Sequence, residues 1–279
     1  MSALEAEPAK RYHRSRNRST SHHSGLSLER RIKAELEVQG ARIRSSLVLD
    51  RKKATDCVIY ALGEERINHV AVQITFAHMN PLKLLDFMMS RVPGGKEISL
   101  FAIGNTSVRN RELVPANTAG FIIEAAKTLQ YGPHISDEAT VLTLRETANR
   151  PRLLPAHEYL DELIREIAGM PLERGVITAH KPSSFTVRME NALEFESAVP
   201  NVFDRRLRTA IGWNAEGLDA IIGLPVIFRV SRKGWAVCVE AVDCPESDQI
   251  LGPKRKHPNP GVEIIHGLIA AAEEKMRRA

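Results

Sequence analysis

Residues 225–242 read PVIFRVSRKGWAVCVEAV. Val226, Phe228 and Val230 alternate along one arm, and Trp235, Val237 and Val239 alternate along the other. Each arm therefore offers one apolar face at the period of a strand. The connection Ser231–Gly234 supplies the glycine that a tight hairpin turn uses. This hairpin follows helical patterns directly, and no regular alternation of strand and helix runs through the chain. Strands and helices in mixed order predict an α+β fold: a mixed or antiparallel sheet with several packed helices.

Working outward, Pro155–Ala168 carries Leu160, Leu163, Ile164 and Ile167 on one stripe of a helix. Gly169 stands where a left-handed C-terminal cap belongs, and Pro171 stops continuation. Residues 175–179 and 185–190 are strand-like, and 202–211 and 215–222 form helical segments around Gly212-Trp213-Asn214. Nearer the start, Ser27 is a candidate N-cap for a helix whose apolar face runs through Leu28, Ile32, Leu36 and Ile43. Residues 54–62 and 66–77 alternate as strands, and Asn80-Pro81 opens a short helix. Pro93-Gly94-Gly95 marks a turn; Ile98–Ile103, Arg111–Pro115 and Val141–Leu144 read as strand material. Residues 119–130 fit both strand and helix, with helix the better match.

The first 25 residues have a different character. Lys10, Arg11, Arg14, Arg16 and Arg18 are interleaved with small and polar residues, a composition too poor in apolar surface to offset the entropy of ordering. Five cations against Glu5 and Glu7 give this arm +3 of the chain's net +5, so the body is nearly balanced. The expected organisation is a disordered basic arm over 1–25 and an α+β body over 26–243, with any subdomain boundary near 150–172. A polar, proline-rich loop over 244–261 and an amphipathic helix over 262–279 complete it. Three cysteines without a CxxC pair, no apolar leader and no long apolar run predict a soluble protein of a reducing, intracellular compartment: cytoplasm, and nucleus if the basic clusters act as import signals.

Arginine's planar donor fork matches phosphate oxygens, so the arm points to RNA or DNA, with an anionic membrane surface as a related partner. Lys254, Arg255 and Lys256 form a second basic cluster between prolines, and Arg205, Arg206 and Arg208 a third. The two helices and hairpin after Val202 imitate a winged helix-turn-helix, but Ala215–Ile222 carries Glu216 and Asp219 and no cation, which disfavours duplex reading. In the terminal helix, Val262, Ile265, Ile269, Ala272 and Met276 recur at spacings of 3, 4, 3 and 4, a short seam suited to self-association or to docking on the protein's own body.

Enzyme signatures are missing. Ser90–Glu97 matches a phosphate loop only at Gly95-Lys96, and His69 and His78 would leave one regular strand on opposite faces. Glu158, Asp161, Glu162 and Glu166 crowd one helix face, where Arg165 balances Asp161. No cofactor and no metal is expected. In layout alone, the basic arm ahead of an α+β body and an assembling helix resembles viral matrix, movement or nucleocapsid proteins; no motif residue carries over. The sequence thus predicts a non-enzymatic nucleic-acid-associated protein, with an enzyme of dispersed active site, or a peripheral binder of anionic membranes, as the alternative.

Overall fold

The computed structural model describes residues 22–46, 55–75, 80–90, 98–103, 114–131, 139–143, 152–181, 184–198, 201–213, 221–253 and 259–278. The fold is α+β, with seven helices and two sheets among these residues.

The first sheet has six strands: β1 (Ala41–Arg44), β2 (Cys57–Leu62), β3 (Glu65–Thr75), β4 (Ile98–Ile103), β5 (Thr140–Thr143) and β6 (Arg152–Pro155), in that spatial order. β1, β2 and β3 form an antiparallel meander; β3, β4 and β5 run parallel, and β6 returns antiparallel. Five of the six residues of β4 are buried, as a parallel strand covered on both faces requires. α1 (His22–Val38) and α3 (Val114–Tyr131) cover one face, over Val70, Val72, Leu100 and Leu142. α2 (Pro81–Met89), α4 (Ala156–Ala168) and α7 (Pro260–Arg278) cover the other, over Phe101, Ile103 and Val141. β3 thus leads to a helix on one face and β4 to a helix on the opposite face, although the strand order never reverses. The two crossovers therefore have opposite hands, so one departs from the right-handed rule for such units.

The second sheet is wholly antiparallel: β7 (Leu172–Lys181), β8 (Ser184–Met189), β9 (Glu194–Ala198), β10 (Pro225–Val230) and β11 (Ala236–Ala241), in the order β11-β10-β7-β8-β9. A bridge between Glu196 and Trp235 brings β9 against the start of β11, curling the sheet into a partly closed barrel around Ile177, Phe185, Val187, Val226 and Phe228. α5 (Arg205–Trp213) and α6 (Pro245–Leu251) complete this half. Gly175 allows the tight wall: a Cβ there would stand 2.5 Å from the Arg188 carbonyl oxygen.

Several residues join the halves, Arg229 foremost. Arg229 on β10 is 8% exposed; its guanidinium donates to the carbonyls of Ile167 (3.4 Å) and Met170 (3.0 Å), at the end of α4, and to Glu273 of α7 at 2.5 Å. Opposite it, β11 bulges, with Cys238 at φ 53, and Val237 and Cys238 both pack among the residues of α2, α4 and α7.

Within the described residues, β2, β3 and β4 meet the strands expected over 54–62, 66–77 and 98–103, α3 and α4 the helices expected over 119–130 and 155–168, and β10 and β11 the 225–242 hairpin. Other readings need correction. α1 reaches back to His22, so Ser27 lies inside the helix instead of capping it, and the helix takes in residues 22–25 at the edge of the expected arm. The rest of the expected arm, 1–21, lies outside the described residues. Val114 and Pro115 open α3, where proline in a first turn costs no needed donor, so the end of the expected 111–115 strand is helical. Gly169 is right-handed, at φ −77, its N–H bonded to the Arg165 carbonyl. The supposed loop 244–261 contains α6, begun by Pro245 with Glu246 and Asp248 at the positive end of the helix dipole, and α7 starts at Pro260. Most of the expected 215–222 helix lies outside the described residues.

Arg229→Ala removes the guanidinium from the Met170 carbonyl and from Glu273, and urea denaturation should show a loss of about 3 kcal/mol, whereas Glu273→Gln, at a half-buried partner, should lose about 1 kcal/mol.

Candidate functional site

β2 runs antiparallel to β3, so its beginning lies beside the carboxyl end of β3, and there the sequence places Thr55-Asp56 next to Gln73-Ile74-Thr75. All five residues are buried. Oδ2 of Asp56 accepts from the Gln73 amide and from the Ile74 backbone N–H, each at 2.6 Å. Lys83, in the first turns of α2, reaches back to donate to the Ile74 carbonyl at 3.3 Å. Its backbone N–H is held by the Asn80 cap at 3.0 Å, with Pro81 at the start of the helix, so the Asn-Pro signal aims Lys83 at this strand end.

Burial dominates the electrostatics of Asp56, pushing its carboxyl up from 3.8 to about 6. The positive charge of Lys83 and the Ile74 hydrogen bond oppose that rise, while Glu29, ion-paired to Lys33 at 2.7 Å on α1, adds to it. A carboxyl that titrates near neutrality can take and return a proton, and the adjacent ammonium can stabilise negative charge that develops nearby. The thiols are not candidates for nucleophile: burial holds Cys57 and Cys238 each up to about 12, so both stay protonated.

The location has a topological meaning. β3 is followed by a helix on one face of the sheet and β4 by a helix on the other, and strand ends where connections diverge in this way are the usual place for a ligand in an α/β sheet. Thr75, Ile103 and Thr143 are successive partners in one row across those strand ends. Thr143 Oγ1 is buried without a hydrogen-bond partner and lies two strands from Thr75, about 10 Å away by strand spacing. It is not part of the Asp56 cluster. Among the described residues, no three His, Cys, Asp or Glu side chains are grouped to hold a metal ion.

The sequence-derived candidates fall elsewhere. Lys10, Arg11, Arg14, Arg16 and Arg18 lie outside the described residues, as do Lys254, Arg255 and Lys256. Arg205 is exposed on α5. Arg206 is a brace: it donates to Asp248 at 2.7 Å and to the Gly252 carbonyl at 2.8 Å, and pairs with Asp204 at 3.4 Å. Burial works to lower its guanidinium, but Asp248 and Asp204 outweigh that and hold it above its ordinary value. Arg208 is pulled below its ordinary value by burial, with Asp86 of α2 opposing. The three arginines therefore form no common exposed patch. In α7, Ile265 and Ile269 are buried in the core with α2 and α4, Val262 and Ala272 pack against it, and Met276 is exposed. The two central seam residues thus face the protein's own body.

Sequence reasoning passed over Asp56, Gln73 and Lys83. The available signal was Gln73 and Thr75 in Val70–Thr75, polar residues in a strand whose last six positions are all buried. Comparison of the chain with protein-family models, with curated proteins and with solved structures finds no match. No helix among the described residues is long and apolar enough to cross a membrane.

A carboxyl whose pKa is higher in the folded than in the unfolded chain binds its proton more tightly when folded. Stability from Asp56 is therefore greatest below about pH 4 and falls as pH rises through about 6, by about 3 kcal/mol in all. Asp56→Asn keeps an acceptor for Gln73 and Ile74 and removes the charge, so urea titrations should find it at least as stable as the parent at pH 8, without the decline between pH 4 and 6. A loss of stability at pH 8 would instead mark Asp56 as a structural acceptor.

Proposed function

We propose that this chain is a nucleic-acid-associated protein whose folded body is an enzyme centred on Asp56. The observation that carries the enzymatic part is the buried Asp56 carboxyl, raised to about 6 and set between Gln73 and Lys83 where the two crossovers diverge. A side chain that costs the fold at neutral pH is a familiar property of sites kept for chemistry. The reading goes beyond the passive assembly protein expected from composition and takes up the dispersed active site named there as the alternative. The chemistry that fits is hydrolytic: Asp56 accepts a proton from water, and Lys83 offsets negative charge on the attacked group.

The nucleic-acid part rests on charge. Lys10, Arg11, Arg14, Arg16 and Arg18 suit phosphate contact, and about five such contacts give a slope of log affinity against log salt near −3.5 to −4.5. Deletion of residues 2–20 should lower affinity for labelled RNA or DNA at least about tenfold at low salt, measured by fluorescence anisotropy. Preference for phosphatidylserine vesicles in a flotation assay would redirect this part of the reading to a membrane surface.

The catalytic part is tested on the full chain with end-labelled single-stranded and duplex DNA and RNA, in EDTA and in Mg²⁺. The parent should cleave at least one polymer; Asp56→Asn should lose about 100-fold or more while binding unchanged, and Lys83→Met about tenfold. Equal cleavage by Asp56→Asn, or no cleavage of any of these polymers, would overturn it.

A further inference from the structure

The outer wall of the barrel is covered only in part. α4 and α7 lie against β10 and β11 through Arg229, Val237 and Cys238, whereas the outward residues of β8 and β9 are Thr186, Arg188, Glu194 and Glu196, with Arg188 and Glu194 exposed. Beside this wall stands Trp235, bridged to Glu196 and 36% exposed. Its backbone is fixed: the Trp235 N–H donates to Ser231 Oγ at 3.0 Å, and the Ser231 N–H donates back to the Trp235 carbonyl at 2.9 Å. Gly234, at φ +75, closes the turn and puts Arg232 and Lys233 at its exposed tip. Lys181 on β7 faces Glu196 at 3.9 Å, and Ser184 donates to the same carboxylate. Among the described residues, Arg232, Lys233 and Arg188 have no ion-pair partner, although Glu194 stands opposite Arg188 in register.

We infer that the turn Ser231–Trp235 and the adjoining β8–β9 wall bind single-stranded nucleic acid, an inference that rests on the proposal that the partner is a nucleic acid. An indole carried on a fixed turn backbone offers a flat apolar surface on which an unpaired base stacks, and the neighbouring cations Arg232 and Lys233 meet the phosphates on either side. The wall is charge-balanced, with Glu194 and Glu196 against Arg188 and Lys181, so it offers no continuous rail for the two backbones of a duplex. A duplex also keeps its bases stacked on one another and away from Trp235. A flexible single strand satisfies both constraints, placing a base on Trp235 and its phosphates at the turn tip.

The test uses the full chain and a fluorescein-labelled oligothymidylate of about 15 nucleotides, with a duplex of equal length as comparator. The chain has two tryptophans, Trp213 and Trp235. Binding should quench the intrinsic fluorescence of the parent, and Trp235→Phe should remove that quenching while holding affinity within about threefold, because phenylalanine still stacks. Trp235→Ala should weaken binding at least about fivefold for the single strand and leave the duplex unaffected. The double substitution Arg232→Gln, Lys233→Gln should flatten the salt slope by about 1.4, two contacts at about 0.7 each, and gives a readout if Trp235→Ala fails to fold. Unchanged affinity, slope and quenching in these variants, with binding lost on deletion of residues 2–20, would overturn this inference and leave the arm-based proposal standing. An equal loss for duplex, or no binding of the oligothymidylate by the parent, would overturn it as well.

Discussion

The fold turns on where the charge of one arginine goes. Arg229 belongs to a barrel strand, yet its guanidinium is spent on the end of a helix that packs against the other sheet and on a carboxylate of α7. Taking a cation out of water is costly unless its donors are satisfied, and here two helix-end carbonyls and Glu273 satisfy them. The Met170 carbonyl lies just past the last turn of α4, where helix-end carbonyls need donors from outside the helix, so each side meets a need of the other. The bulge at Cys238 is the backbone counterpart, since it turns two successive side chains of β11 toward the helices. The barrel and the helices on one face of the first sheet consequently share one apolar layer, in which Phe203 and Val237 sit with Phe87 and Ile164.

How much of this was legible in the sequence follows from how far each signal is local. The 225–242 hairpin, the stripe of α4 and the Asn-Pro start of α2 are set by period and capping, and they were readable. β1, β6 and β9 are only four, four and five residues long and carry arginine or glutamate, so no periodicity announces them. α6 lacks an apolar stripe, and its helix is declared only by Pro245 and the acids behind it. Val114 and Pro115 resemble an extended segment in isolation, and only α3 as a whole makes them a first turn.

The candidate site was the least legible part because it is a product of pairing. Asp56 and Gln73 lie in different strands and meet only through the β2–β3 register, and Lys83 joins them only because a cap fixes the start of the next helix. The charge clusters that do stand out in sequence have mixed destinations. Arg206, one of three close arginines, is engaged in holding α5 to α6, and its neighbour Arg208 is largely withdrawn from water near α2. A run of cations in sequence is therefore no measure of a cationic surface.

The order of strands in the first sheet equals their order along the chain, so each strand finds its partner already made as synthesis proceeds. Its two faces do not close at the same time. α1 and α3 come from the same stretch as the strands they cover, but the opposite face, with Leu82, Leu85 and Leu163, waits for Ile265 and Ile269 of α7, encoded beyond the entire barrel. A nascent chain holding only the first sheet therefore carries an open apolar surface while the barrel is being made. The arrival of α7 is what ends that exposure, which makes it a late-acting cover for a sheet built early.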